Sequence, residues 1–280
     1  MCVNIKDELN KMNIYDFTYE VLQEKDTIQV SRIFCENESY VLKLFQSEKY
    51  VKEILYYDVL QNLSIPTLKV ISKTEQSILL EDIENSEYRL CTIEDYKNPQ
   101  YVKKIAKWFK VLHTNGKNAD FSLFDNDLAD FTKENLIFYK NALSINNPTI
   151  DFYINNYNSI MQVIKAFPIT ILRNDCGYNN SVIKKDSSMA LMFDYNYTIC
   201  GNAYSEIREF LLNFDDDMKD LFLFEYGEIN EQEKKVYDVL YVLLRLFMHY
   251  ENEGFSADVE WCLNELKSEE YYLNLINIFS

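Results

Sequence analysis

Asp175, Asn180 five residues later, and Asp194 at the end of an apolar run are the side chains whose types and spacing could do chemistry. A carboxylate, a following amide and a second carboxylate delivered by a buried strand are what phosphoryl transfer requires. The first carboxylate orients a hydroxyl nucleophile, while the amide and the second carboxylate hold Mg²⁺ on nucleotide phosphates.

Such residues need strands to place them. An apolar stretch at 169–172 leads into the loop, and the apolar runs Ser181-Val182-Ile183 and Ala190-Leu191-Met192-Phe193 lie beyond it. Upstream, a weak helical pattern over 4–13 gives way to alternation at Phe17, Tyr19 and Val21, then Ile28, Val30 and Ile33, then Tyr40, Leu42 and Leu44. This predicts three antiparallel strands with polar turns at 23–26 and 36–39. A further hairpin from 67–70 and 77–80 completes a five-stranded sheet. Lys43 lies inside the third apolar run and wants a partner. Ser47 caps a predicted helix over 48–62, with Val51, Ile54, Leu55 and Leu60 on its packed side.

The loop and its flanks resemble the aminoglycoside phosphotransferase and choline-kinase-like branch of the protein-kinase-like fold, whose catalytic loop reads His-Gly-Asp-x-x-x-x-Asn. Here Arg173 stands for the His and Asn174 for the Gly. Arg173 can still donate hydrogen bonds, and Asn accepts positive φ better than most residues. The resemblance implies an α+β, two-lobed fold, with a small antiparallel-sheet lobe over 1–83 that binds nucleotide and a larger, mainly helical catalytic lobe over 84–280. It implies that Asp175 is the catalytic base and that Asn180 and Asp194 hold Mg²⁺. Lys43, positioned by Glu53 or alternatively Glu48, would grip the α- and β-phosphates of ATP or GTP. Taken alone, Lys43 and Glu53 read as a strand-edge lysine and a solvated helix glutamate. The hinge would be 79–84, with the backbone of Glu81 and Ile83 meeting the nucleobase.

The acceptor implied is a hydroxyl of a small molecule: an aminoglycoside, choline-like amine, sugar or amino-alcohol. The alternative is a degenerate member that binds nucleotide or ligand without turnover. Arg173, Asn174 and a phosphate cover at 23–27 without glycine motivate it, since the first glycine is Gly116. A protein kinase fits less well, because the His-Arg-Asp form is missing and no activation segment separates Asp194 from Glu206.

The remaining pattern is helical at 101–115, 128–143 and 149–167, from 205, and at 231–253 and 257–279. His113 and His249 read as structural, Glu206 as a helix-start residue, and Asp215-Asp216-Asp217 as solvated surface. The formal net charge of −17 opposes nucleic acid and anionic lipid and favours a cationic ligand. Cysteines at 2, 35, 91, 176, 200 and 262 form no C-x-x-C pair, which argues against zinc. Scattered cysteines, no leader pattern and no long apolar run imply a cytoplasmic protein.

Overall fold

The structure, a computed structural model, describes residues 4–25 and 27–279. Cys2 and residue 26 of the expected 23–26 turn and 23–27 phosphate cover lie outside the described residues.

Helix α1 (Ile5–Lys11) is capped by Asn4, whose side chain accepts from the Asp7 N–H at 2.9 Å. Strands β1 (Thr18–Lys25), β2 (Ile28–Cys35) and β3 (Glu38–Phe45) follow, then α2 (Glu48–Asn62), β4 (Val70–Lys73) and β5 (Ser77–Glu81). They build a five-stranded antiparallel sheet in the order β1-β2-β3-β5-β4. Alternation divides its faces. Ile33, Leu42, Leu44 and Leu79 pack on Ile5 and Leu9 of α1, while Val30 and Lys43, paired across β2 and β3, face a cavity. Glu8 fastens α1 further: its buried carboxylate accepts from Ser77 Oγ at 2.9 Å and from Thr74.

After β5 come β6 (Tyr88–Leu90), α3 (Pro99–Gly116), α4 (Lys133–Ala142), α5 (Pro148–Ile164), β7 (Thr170–Leu172), β8 (Ser181–Lys184), β9 (Ala190–Met192) and β10 (Ile199–Gly201). The chain closes with α6 (Ala203–Leu211), α7 (Asp216–Tyr226), α8 (Glu231–Glu253), α9 (Ala257–Glu265) and α10 (Glu269–Phe279). Strands β6, β8 and β9 form an antiparallel sheet in the order β6-β8-β9.

The chain gathers into two compact units. One takes the residues up to Asp120, Ile171–Thr198 and Glu209–Gly227. In it α3 packs on β9 and α7, with Phe109 at its centre against Phe210 and Phe222 at ring distances of 4.6 and 6.0 Å. His113, near the end of α3, is buried and bonded through Nδ1 to the Tyr226 hydroxyl at 2.9 Å, the structural role expected. The other unit takes Phe121–Thr170, Ile199–Arg208 and the chain from Glu228. Its core joins Leu136, Tyr153, Leu240, Leu243, Phe247 and Leu275, and Tyr139 stacks on Phe247 at 4.3 Å.

Several boundaries differ from the sequence expectations. β1 runs on to Lys25 and β3 begins at Glu38, so polar residues assigned to turns are paired strand residues, and Thr27 and Glu36 carry the bends at φ +67° and +49°. The strand expected at 67–70 starts only at Val70, because the Lys69 N–H goes to the Glu81 carboxylate at 2.7 Å. The helix expected at 128–143 starts at Lys133, where Thr132 accepts from the Asn135 N–H at 3.1 Å as N-cap. The one expected at 149–167 stops at Ile164, and that at 257–279 is two helices, the first ending in a turn in which Leu266 and Ser268 donate to Cys262 and Glu265 carbonyls. Helix α7 and strand β6 were not expected. Asp215, placed in a solvated acidic run, is the α7 N-cap, accepting from the Met218 N–H at 3.0 Å. His249 lies 3.8 Å from Asp258.

Asp127 has no counterpart in the expectations. A Cβ added at Gly201 would come within 2.2 Å of its Cγ, so only glycine admits this carboxyl. Asn202 N–H and Ser205 Oγ donate to it weakly, at 3.3 and 3.4 Å, and burial pushes its pKa up to about 6. Folding therefore disfavours the ionised form: nothing is lost below the unfolded pKa near 4, and the penalty is complete above about 6. Asp127→Asn is expected to stabilise the fold by about 3 kcal/mol at pH 7. Urea unfolding across pH should show the gain shrinking below pH 6 and vanishing near pH 4.

Candidate active site

Lys43 leaves β3 on the face opposite the α1 core, and its ammonium cannot stay there without anions. Ser47 accepts from the Lys49 N–H at 3.3 Å to start α2, and α2 brings Glu53 beneath the strand. Lys43 Nζ donates to Glu53 Oε1 and Oε2 at 2.8 and 2.6 Å and to Asp194 Oδ1 at 2.8 Å. Glu53 is wholly buried, and its Oε1 also accepts from the Tyr195 N–H at 3.2 Å. Burial pushes the Glu53 carboxyl up against the pull of Lys43. Burial would lower Lys43, but the two carboxylates outweigh it and hold the ammonium charged. Glu48, the alternative, is exposed; the acceptors of the Lys43 ammonium are Glu53 and Asp194.

The loop after β7 is built around Arg173. Its side chain is almost wholly buried, Nε donates to the Phe193 carbonyl at 3.1 Å, and Nη2 lies 3.6 Å from Asp175 Oδ2. One side chain thus ties the Asp175 loop to the segment carrying Asp194. Asn174 adopts φ +59°, the conformation anticipated for it, and Asp194 adopts φ +67°. Asn and Asp are the non-glycine residues best suited to that region. Asp175 Oδ1 accepts from the Gly177 N–H at 3.1 Å and Oδ2 from Asn180 Nδ2 at 2.6 Å. At Gly177 the need is space: a Cβ would meet Asn179 Oδ1 at 2.6 Å.

Lys43, Asp175, Asn180 and Asp194 line one cavity of about 240 Å³, together with Gln23, Lys25, Val30, Tyr50, Asn179, Asn196 and Tyr197. Sequence reasoning named the first four and, as part of the phosphate cover at 23–27, Gln23 and Lys25. Strand alternation marks Val30 as facing with Lys43, and Asn196 and Tyr197 were within reach as neighbours of Asp194; nothing in the sequence marked Tyr50. Glu53 stands behind Lys43. The expected hinge residues are not in this lining. Glu81 borders a separate cavity and donates its N–H to the Lys69 carbonyl at 3.0 Å, and Ile83 opens a 3-10 turn whose carbonyl accepts from Ser86 Oγ at 3.0 Å.

The donor set fits magnesium. The amide N–H of Asn180 is committed to Asp175, so its carbonyl oxygen is the end left to ligate, beside the Asp194 carboxylate. Both are hard oxygens, the type Mg²⁺ takes. Among the described residues no three His, Cys, Asp or Glu side chains cluster to hold a metal by themselves, which suits an ion completed by phosphates and water.

No family profile and no curated protein matches the sequence. Solved structures do match in fold. Choline kinase LicA from Streptococcus pneumoniae is similar at TM-score 0.60 and 14% identity, covering 98% of both chains. An aminoglycoside 2'-phosphotransferase in complex with GDP gives TM-score 0.61 and 10% identity over 97% of each chain. Macrolide 2'-phosphotransferase MphH from Brachybacterium faecium gives 0.60 and 12% over 95% of this chain and 98% of its own. The chain has the α+β kinase-like fold, with a small antiparallel sheet ahead of a mainly helical remainder.

Removing one member of a buried ion pair leaves the other uncompensated. Lys43→Met should therefore cost about 3 kcal/mol of stability. Lys43→Met combined with Glu53→Leu should recover most of it, and urea unfolding of the three variants would show this coupling. Additive losses would contradict the pairing.

Proposed function

We propose that the protein is a magnesium-dependent phosphotransferase that moves the γ-phosphoryl group of ATP or GTP to a hydroxyl of a small molecule. The observation that carries this reading is that Lys43, already bonded to Glu53 and Asp194, shares a single cavity with Asp175 and Asn180. Glu53 positions Lys43, whose ammonium takes the α- and β-phosphates. Asn180 and Asp194 are the residues to hold Mg²⁺, which neutralises charge on the transferring group when bound. Asp175 orients the acceptor hydroxyl and accepts its proton, its carboxylate aimed by Gly177 and Asn180. The 1–83 segment is the nucleotide-binding lobe, with the backbone of Glu81 and Ile83 as the base-edge contacts, and 84–280 carries the catalytic loop and acceptor site.

The similar structures are by description a choline kinase and phosphotransferases of aminoglycosides and macrolides. They support a small hydroxylated acceptor, and the net charge of −17 favours a cationic one. No helix among the described residues is long and apolar enough to cross a membrane; we place the protein in the cytoplasm. The second reading is nucleotide binding without turnover. It is favoured by the β1–β2 connection, where a non-glycine residue, Thr27, takes φ +67° in place of a glycine-containing cover.

Asp175→Asn separates the two. With choline, ethanolamine, aminoglycosides, macrolides and sugars as acceptors and labelled ATP or GTP as donor, the wild type is expected to transfer phosphate to at least one class. The variant should lose about 10²–10⁴-fold in rate, with nucleotide affinity changed less than about twofold. An active Asp175→Asn protein would remove Asp175 from its role, and binding without transfer by the wild type would establish the second reading.

A further inference from the structure

Strand β1 carries a bulge. Up to Val21 it pairs regularly with β2, with Glu20 opposite Arg32 and Val21 opposite Ser31; the register then slips by one residue, so that Gln23, Glu24 and Lys25 stand opposite Val30, Gln29 and Ile28. Because side chains alternate across a strand, unbroken pairing would turn Leu22 and Glu24 to the cavity face with Val30 and Lys43. The bulge turns Gln23 and Lys25 there instead and sends Glu24 to the other face. Both Gln23 and Lys25 line the cavity. Bulges recur beside active sites, where they re-aim a side chain, and this one exchanges a carboxylate for an ammonium.

The cavity has use for that charge. Among the described residues its lining holds the carboxylates of Asp175 and Asp194 and the ammonium groups of Lys43 and Lys25, with Glu53 behind. Lys43 is divided between Glu53 and Asp194. Arg32, on the same sheet face, lies 2.9 Å from Glu20 and 2.8 Å from Asp82. Lys25, paired with Ile28 and through it with Phe45, stands one row from Lys43 towards the β1–β2 turn, roughly 7 Å along the strands. The turn is tied down, since the Thr27 carbonyl accepts from the Gln46 N–H at 2.8 Å. Phosphates held at Lys43 thus have a second ammonium within reach of one end.

We infer that Lys25 is a further catalytic residue, whose ammonium holds the γ-phosphoryl oxygens of the bound nucleoside triphosphate. This rests on the phosphotransferase reading above. In the transfer the acceptor oxygen bonds to the γ-phosphorus and its proton passes to Asp175, while the bond from that phosphorus to the β–γ bridging oxygen breaks and the diphosphate leaves. Negative charge lies on the γ oxygens throughout, and a positioned cation stabilises it. A side chain makes the contact that a cover without glycine is poorly placed to make through its backbone.

The test is calorimetric titration of the full chain with MgATP, MgADP, MgGTP and MgGDP, comparing the wild type with Lys25→Met, Lys25→Arg and the neighbouring control Glu24→Gln. Lys25 and Glu24 are both exposed, so these substitutions spare the core. For the base that binds, Lys25→Met should lower triphosphate affinity about tenfold, the worth of one charge-assisted hydrogen bond, while diphosphate affinity moves less than about twofold. Lys25→Arg should keep most of the triphosphate affinity, and Glu24→Gln the wild-type ratio of triphosphate to diphosphate affinity. Equal loss of both in Lys25→Met, no loss of either, or a comparable change of the ratio in Glu24→Gln would remove Lys25 from the role and leave the nucleotide site standing. No binding of any of the four by the wild type would overturn both readings.

Discussion

A lysine and a glutamate buried together constrain everything around them. Taking Glu53 fully out of water is costly, and it is offset only because Lys43 approaches both its oxygens and the Tyr195 N–H meets one of them. Those partners come from a strand and from the segment after β9, and Glu53 itself from a helix. The charge pair therefore fixes the depth of α2 under the sheet and the position of Asp194, whose carboxylate accepts from the same ammonium. An apolar replacement could serve stability as well. It would remove the cation that joins Glu53 to Asp194.

The second constraint is the buried Arg173. Through Phe193 on one side and Asp175 on the other, it couples the loop that carries a candidate base to the segment that carries a candidate metal ligand. Two left-handed residues, Asn174 and Asp194, turn the chain on either side of it. Such conformations persist only where surrounding contacts dictate them, as at functional sites. The departures from the His-Gly-Asp-x-x-x-x-Asn pattern are therefore accommodated locally: Arg173 ties the loop to Phe193, and Asn174 turns the chain.

What could be read from the sequence follows the range of the forces involved. The helices at 48–62 and 231–253 were legible to the residue because their signals are local: Ser47 before one, and an apolar stripe ending at Gly254 for the other. Asp175, Asn180, Asp194 and Lys43 were legible as residue types at spacings that one chemistry demands, and they do meet in one cavity. The break between α9 and α10 was not legible, since both halves keep an apolar face and no proline or glycine separates them. Helix α7 was hidden for the opposite reason: its acidic N-terminus reads equally as a cap or as a solvated run. Arg32 and Asp82 lie 50 residues apart, so nothing local announces the pair. The side chain of Glu81, spent on Lys69, likewise depends on a strand pairing that no short-range pattern encodes.

The most direct test of the account is thermal unfolding of the wild type and Asp194→Ala with ATP or GTP, each with and without Mg²⁺. A ligand that binds only the native state must raise its stability. The account predicts a rise in melting temperature that requires Mg²⁺ and is lost in Asp194→Ala. No shift with either nucleotide, or a shift indifferent to both Mg²⁺ and Asp194, would contradict a nucleotide and metal site at Lys43, Asn180 and Asp194.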